Sequence, residues 1–423
     1  MIVVISFFLL LILGIPVSLV VLISSVLGIV AFSDISLMLV AEQMFNGLNN
    51  FVLLGIPFFI MAGNIAAKGS ISGHLINVMR MLLGPIKGGS VIAGICACAF
   101  FAAISGSSMA TVVAIGTIMI PALIEMGYPE EMAEGSITAG GSIGILIPPS
   151  APMIMICVAM GTSVGKQFMA GFIPGILLAA VWCVYIYFKC KKSNIQDTKV
   201  YTKEEKKEIW KKSIWALLYP FIVLGGIYFG FATPTEAAAI ALIYVILIEV
   251  FVYKTLTLGQ IAQEAYGALK TSGSIIFIIS CAAVLNWLIT TQQIPALISG
   301  MIAEYVSNKV IFILILVAIF FIAGCFMDLI ALIVILGPIL APTLSIFNID
   351  PILFGIMCVM CVQISYITPP FGLNLYATMG MRKRTMMQVS KSILPYLLIL
   401  IVVTLAVCFI PQISLFLPNM MNV

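Results

Sequence analysis

Apolar runs close to the roughly 20 residues that a helix needs to cross hydrocarbon recur from one end of this chain to the other. They are continuous rather than alternating, which predicts helices and not the strands of a barrel. The pattern places spans near residues 2–13, 17–32 and 51–66, with Pro16 between the first two and the first short for a full crossing. The N-terminal run has no basic start and no cleavage site and continues to Phe32, so mature structure is expected there and not a signal peptide. A basic connecting segment follows, with Lys68, His74, Arg80 and Lys87. Two apolar helices then share residues 90–125, with Ser105-Gly106-Ser107-Ser108 between them, and are expected to form a re-entrant hairpin whose tip stops at mid-membrane. A helix over 133–160 is expected to break at Gly140-Gly141 and again at Pro148-Pro149, and a span near 172–188 ends the first half.

Residues 189–212 hold nine of the chain's twenty Lys and Arg and read as a solvated linker. Beyond it the order repeats. Spans are expected near 214–229, 236–253 and 272–289, then a hairpin over 310–347 that turns over at 324–328. A helix over 351–380, broken at Thr368-Pro369-Pro370, precedes a last span near 393–416. A shift of 221 residues lays Gly116 on Gly337, Pro121 on Pro342 and Pro148-Pro149 on Pro369-Pro370. Irregular backbone survives in hydrocarbon only where it faces protein or lines a cavity. Gly- and Pro-broken segments at matching places in two halves therefore point to a transporter's binding site. Each half, 1–188 and 213–423, counts five spans and one hairpin, and five crossings turn the second half upside down relative to the first. With the linker in the cytoplasm, Lys68, Arg80, Lys87, Lys254, Lys270, Arg382, Lys383, Arg384 and Lys391 join its nine there, eighteen in all, and only Lys166 and Lys309 fall outside. That asymmetry is what the positive-inside rule asks for, and it puts both termini on the outer side.

With 62% hydrophobic residues, 9% charged residues and a mean hydropathy of +1.23, the 423-residue chain carries more apolar surface than one soluble core can hide. The expected class is an all-α polytopic membrane protein with no soluble domain. Ten cysteines are scattered singly, none in zinc-ligand spacing with the only histidine, His74, so packing is their expected role. The net charge of +4 follows topology and indicates no nucleic-acid face.

The paired cassettes carry the candidate chemistry. A hairpin tip opposite a helix break offers unwound carbonyls to a cation and helix N-termini to an anion. The first cassette adds the hydroxyls of Ser105, Ser107, Ser108 and Ser142, and the second adds Asp328, Ser365, Thr368 and Asn374. These hard oxygens suit an alkali cation and not a soft metal. Asp328 stands out because an intramembrane carboxylate is by default functional, whereas serine and glycine are also what close helix packing selects. No Lys or Arg falls within 105–153 or 324–374. An organic anion held there has helix N-termini, hydroxyls and a bound cation as its counter-charges. Thr233-Pro234-Thr235-Glu236 has the form of a capping box with proline in the first turn, which is a structural role.

The runs LLGIPFFIMAGNI (53–65), SGSSMATVVAIGTIMIPAL (105–123), GSIGILIPPSAPMI (141–154), FATPTEAAA (231–239), GCFMDLIALIVILGPILAP (324–342) and ITPPFGLNLY (367–376) strongly resemble one family. It is the large membrane subunit of TRAP (tripartite ATP-independent periplasmic) transporters, and the resemblance covers nearly the whole chain. It implies an elevator-type secondary transporter of the bacterial inner membrane, driven by a sodium gradient, that imports an organic acid such as a C4-dicarboxylate or sialic acid. The implied partners are a separate small membrane subunit and a periplasmic binding protein, with no ATPase and no nucleic acid. Sodium ions are the implied cofactor. One is expected at Ser105, Ser107, Ser108, Gly140, Ser142 and Gly144, and a second at Gly324, Asp328, Ser365 and Thr368. The substrate is expected against Ser108, Ser142, Pro149, Ser150, Pro370 and Asn374. Gln363-Ile364-Ser365-Tyr366 departs from the pattern, which has more glycine before Thr-Pro-Pro.

Other classes fit less well. A stand-alone sodium–carboxylate symporter of related architecture shares the inverted repeat but needs no binding protein. An intramembrane hydrolase needs a second acid, or a Ser–His or Ser–Lys partner, beside Asp328, and the chain offers no convincing one. An ATP-driven permease needs a docking loop, for which PEEMAEGS (129–136) is a faint candidate.

Overall fold

The computed structural model describes residues 2–32, 35–193, 201–325, 327, 329–370 and 372–421. Every regular element among them is helical. The first half contributes α1 (Ile2–Ile12), α2 (Val17–Phe32), α3 (Met38–Leu48), α4 (Gly55–Lys68), α5 (Ile71–Leu83), α6 (Gly89–Ser105), α7 (Ser108–Glu125), α8 (Glu130–Ser142), α9 (Ala151–Met160) and α10 (Val164–Ser193). The second contributes α11 (Lys203–Tyr228), α12 (Pro234–Leu247), α13 (Leu258–Thr291), α14 (Ile294–Tyr305), α15 (Lys309–Gly324), α16 (Leu329–Ile346), α17 (Pro351–Tyr366), α18 (Leu373–Arg382), α19 (Met386–Phe409) and α20 (Gln412–Met420). A shift of 221 residues carries α7 onto α16, both 18 residues long, and the start of α8 onto the start of α17.

Helix starts follow local chemistry. Thr202, Thr233 and Thr257 each close a capping box with the Glu or Gln three residues on, satisfying N–H groups that a helix start leaves open. Glu236 is structural in this way, its carboxylate accepting from Thr233 N and Oγ1 at 2.8 Å.

The break expected at Gly140-Gly141 is absent, and α8 runs through both residues to Ser142. A Cβ at Gly141 would collide with Val112 on α7, and one at Gly140 would lie 3.2 Å from Cys98 Sγ on α6. The pair lets helices approach and does not bend one. The last apolar run, expected as a single span over 393–416, is two helices, because Pro411 lacks the N–H that would continue the ladder from α19 into α20. The basic segment after α4 folds as α5 and buries Ile71, Leu75, Val78 and Met79 along one face. The segment 189–212 is helical at both ends, with α10 running to Ser193 and α11 starting at Lys203.

Among the described residues, six helical stretches are long and apolar enough to cross a membrane by length and composition: Phe51–Lys68, Ser108–Glu125, Val164–Ser193, Pro234–Val252, Leu258–Thr291 and Met386–Phe409. Large apolar side chains such as Phe8, Phe45, Phe221, Phe251 and Val402 remain exposed on the outside. An apolar exterior of this kind marks a lipid-facing surface, and the protein is a multi-pass membrane protein. The interior belongs to the two interrupted helices, buried from Met132 to Ser142 and from Ile352 to Ser365. At the periphery α1 and α3 bury no residue and α14 buries only Ser299.

One buried acid ties these layers together. After Leu247 the helix α12 widens into a π-helical turn over Ile248–Val252 that carries Glu249 to the start of α5. The fully buried Glu249 carboxylate accepts from Ser70 N at 2.9 Å, Ile71 N at 3.0 Å, Ser70 Oγ at 3.3 Å and Thr255 Oγ1. An anion from the second half thus caps a helix of the first, where the helix dipole favours negative charge.

Candidate functional site

The first hairpin turns over in two residues. The helix α6 ends at Ser105, Gly106 takes φ +58°, and Ser107 caps α7 with its Oγ accepting from Ala110 N at 3.4 Å. Hydroxyls lace the tip, with Ser105 Oγ and Thr111 Oγ1 2.9 Å apart and Thr111 Oγ1 donating to Ser107 O at 2.8 Å. Opposite the tip, α8 passes into a 3-10 turn over Ile143–Ile145 and the chain crosses a cis Pro148-Pro149 bond. Ser150 then starts α9, its Oγ donating to Ile145 O at 2.7 Å.

These two irregular stretches touch. A Cβ at Gly106 would lie 2.6 Å from Pro149 O, and one at Gly144 would lie 2.5 Å from Ser107 O. Ser105, Ser107, Gly144, Pro149 and Ser150 are therefore brought together. What they offer is carbonyl and hydroxyl oxygen, the donor set of a hard cation. Gly140 lies apart from them, against Cys98 and Ile95 on α6.

In the second half Gly324 ends α15 against Ser365, where a Cβ would lie 2.6 Å from the Ser365 hydroxyl. That hydroxyl lies 3.1 Å from Phe321 O and 3.2 Å from Cys361 O and can donate to either. Thr368 Oγ1 donates to Ile364 O at 2.6 Å, just ahead of the cis Pro369-Pro370 bond. Asp328, the acid expected at this tip, lies outside the described residues. The two breaks differ in access: Pro148, Pro149 and Ser150 are buried, whereas Pro369 and Pro370 are exposed.

Ser108, Ser142 and Asn374, expected as substrate contacts, join the halves in the interior, each no more than 2% exposed. Ser142 Oγ donates to Ala139 O at 2.7 Å and accepts from Gln363 Nε2 at 2.9 Å. Those two residues are 221 apart, the shift that matches the halves, so the bond joins equivalent positions. Asn374 is engaged at both ends, Oδ1 accepting from Ser108 Oγ at 2.8 Å and Nδ2 donating to Thr138 O at 3.3 Å. The hydroxyls of Thr138 and Thr378 meet at 2.7 Å. At the start of α8 the fully buried Glu134 faces Arg384 Nε at 3.3 Å, and Glu130 pairs with Arg384 Nη1 at 2.9 Å. The sequence pattern singles out none of Thr111, Thr138 and Thr378, and marks Gln363 only as a departure before Thr-Pro-Pro. The 221-residue shift was a usable signal for Gln363, since it lands on Ser142; the Thr138–Thr378 pair, 240 residues apart, follows no such offset.

A model of the family described as "Tripartite ATP-independent periplasmic transporter, DctM component" matches residues 4–413. The C4-dicarboxylate TRAP transporter large permease protein DctM of Pseudomonas aeruginosa is 38% identical over 396 residues, 94% of this chain and 93% of that one. The isethionate TRAP transporter permease protein DctMQ of Oleidesulfovibrio alaskensis is 36% identical over 414 residues, 97% of this chain, and the chain spans 65% of that relative's length. Among solved structures, the Alcanivorax borkumensis YdaH transporter matches with a TM-score of 0.64 over 90% of this chain and 88% of that one. At 15% identity that is a likeness of fold. The relatives are named as transporter permeases and not as enzymes. Matched by the family model over nearly all its length and by relatives at well over 30% identity, the chain belongs to the DctM family, the large permease component of tripartite ATP-independent periplasmic transporters.

Proposed function

We propose that the chain is the substrate-moving subunit of a sodium-gradient-driven importer in the bacterial inner membrane. Its cargo is a small organic acid of the C4-dicarboxylate or sialic acid class, delivered by a periplasmic binding protein, and a separate small membrane subunit completes the assembly. The observation that carries this reading is the contact of the first tip with the first break, where Ser105, Ser107 and Gly144 gather hard oxygens. In this reading one sodium ion binds there and a second at Gly324, Asp328, Ser365 and Thr368. The acid sits between, against the starts of α7 and α9. Neither cassette holds a Lys or Arg, so sodium supplies the counter-charge that a buried anion requires, and sodium and substrate bind with positive coupling.

The halves 1–188 and 213–423 are then inverted repeats joined by 189–212. The hairpins are α6–α7 and α15–α16, and the broken helices are α8–α9 and α17–α18. Because α7 is long enough to cross a membrane alone, the re-entrant reading rests on its tip meeting the middle of α8–α9 and not on length. The buried bonds Ser142–Gln363 and Ser108–Asn374 support motion of these segments as one body, an elevator past the outer helices.

The test is uptake of labelled organic acids into proteoliposomes holding all three components, with sodium and pH controlled separately. Uptake is expected to need the sodium gradient. Asp328→Asn should fold normally yet raise the sodium concentration for half-maximal uptake about tenfold or more, the worth of one charge-assisted contact. Sodium-independent uptake, or an unchanged sodium response in that variant, would overturn the proposal, and full uptake by this chain alone would favour a stand-alone symporter.

Topology has its own check. Five crossings after a cytoplasmic linker put the C-terminus outside, and Met420 is 65% exposed. Met420→Cys in an otherwise cysteine-free chain should react with an impermeant thiol reagent in intact cells. Labelling only after permeabilisation would contradict the inversion.

A further inference from the structure

One cavity lies outside both tip-and-break pairs. It has a volume of about 260 Å³ and lies between α3 and α13 on one side and α9 and α16 on the other. Asn46, Asn49 and Asn50 are its exposed rim, Asn286 of α13 is half-buried beside them, and Val158 of α9 and Val334 of α16 face them from the other side. Among the described residues the lining therefore carries four carboxamides and no charged side chain.

The amides define what fits. Asn50 Oδ1 already accepts from Val52 N at 3.0 Å, which leaves its NH2 to donate. Asn286 is the reverse case, for its Oδ1 is buried and among the described residues no donor reaches it. Buried acceptors are nearly always satisfied, so this oxygen calls for a donor from outside the chain. A carboxylate brings only acceptors, whereas an alcohol brings an O–H. The volume is just below the roughly 300 Å³ at which pockets for drug-sized ligands begin, which limits the occupant to a small metabolite.

We infer that this cavity binds hydroxylated small organic acids on their way to the first broken helix. Asn286 Oδ1 accepts from a substrate hydroxyl, and the rim amides donate to its carboxylate. The inference rests on the reading of the chain as an organic-acid importer and adds a selectivity to it: the permease, and not the binding protein alone, distinguishes a hydroxy acid from its deoxy counterpart. The position suits a relay. Val158 is eight residues along α9 from Ser150, about 12 Å at the helical rise of 1.5 Å per residue. An uncharged lining holds an anion loosely enough to pass it on.

The experiment compares uptake of L-malate with succinate, and of gluconate with 2-deoxygluconate, by the complete transporter carrying wild-type chain, Asn286→Ala or Asn286→Leu. The binding protein is the same throughout, so its own preference cancels. Each substitution is expected to lower the preference for the hydroxylated acid about tenfold, the worth of one hydrogen bond. Because Asn286 Oδ1 has no partner among the described residues, its removal should leave folding intact, which thermal unfolding of the purified variants checks. A second readout leaves Asn286 in place: in a cysteine-free chain, Asn49→Cys should be protected from a thiol reagent by L-malate more than by succinate. An unchanged preference in both Asn286 variants, or equal protection by the two acids, overturns the inference and leaves the transport reading standing. A wild-type complex that imports no organic acid overturns that reading and the inference with it.

Discussion

Gly106→Ala is expected to destabilise the first hairpin tip by about 3 kcal/mol and, on the proposed coupling to sodium, to cut uptake about a hundredfold. Two effects add. An L-residue at φ +58° gives up roughly 1–2 kcal/mol in the left-handed region. Its methyl group, 2.6 Å from Pro149 O, adds an overpacking penalty of about 1–3 kcal/mol. A backbone oxygen cannot rotate aside as a side chain can, so relief comes only from parting the tip and the break. Gly127→Ala separates the two effects, since Gly127 also has a positive φ, +85°, but nothing within 4 Å of its Cβ position. Initial uptake rates per folded transporter, titrated with sodium, should fall far more for Gly106→Ala than for Gly127→Ala. Equal losses would overturn the proposal that the tip–break contact holds a cation.

Glu249→Ala should be the most destabilising change outside the cassettes, at about 4 kcal/mol. It strands the buried Ile71 N and the half-buried Ser70 N and Ser70 hydroxyl, where each unsatisfied donor costs about 1–3 kcal/mol, whereas the exposed Thr255 can turn its hydroxyl to water. It also removes the negative charge from the start of α5. Glu249→Gln keeps one acceptor oxygen and turns an NH2 toward the remaining donors, so about half the loss is expected. Glu236→Ala removes a capping contact that water can replace, and its effect should be smaller still. Thermal unfolding of the purified proteins should rank the three in that order. A Glu249→Ala protein as stable as wild type would mean that α5 is held by its apolar face alone.

Local signals were legible in the sequence, and long-range ones were not. The tip at Ser105-Gly106-Ser107, the proline break before Ser150 and the Thr233 capping box are written in residues adjacent in the chain, and they stand where the pattern puts them. Gly140-Gly141 misled because glycine in a helix has two physical meanings, a weak point or a place of contact. Val112 and Cys98, which decide between them, are distant in sequence. The helices α3, α5 and α14 escaped notice as short segments with polar positions, whose helicity is supported by tertiary packing more than by propensity. The Thr202 and Thr257 capping boxes carry the same signature as Thr233 and would have placed the starts of α11 and α13. Asn374, expected against the substrate for its polarity and its place in the second cassette, also makes two buried bonds to Ser108 and Thr138 that brace the halves, and those partners are distant in sequence.

Those cross-half bonds also set a schedule for the ribosome. Thr138 meets a partner that is made 240 residues later, a delay of about 10–50 s at roughly 5–20 residues per second. Glu134 waits in the same way for Arg384. Until the second half arrives, the hydroxyls of Thr138 and Ser142 have their own helix's carbonyls, but the Glu134 carboxylate has no arginine beside it, in a solvent that tolerates unpaired charge poorly. The emerging helix α8 must therefore stay beside water or the insertion machinery until α18 and the Arg384 connection follow it. A chain stopped at Ser193 is accordingly a target for membrane proteases and not half of a folded transporter.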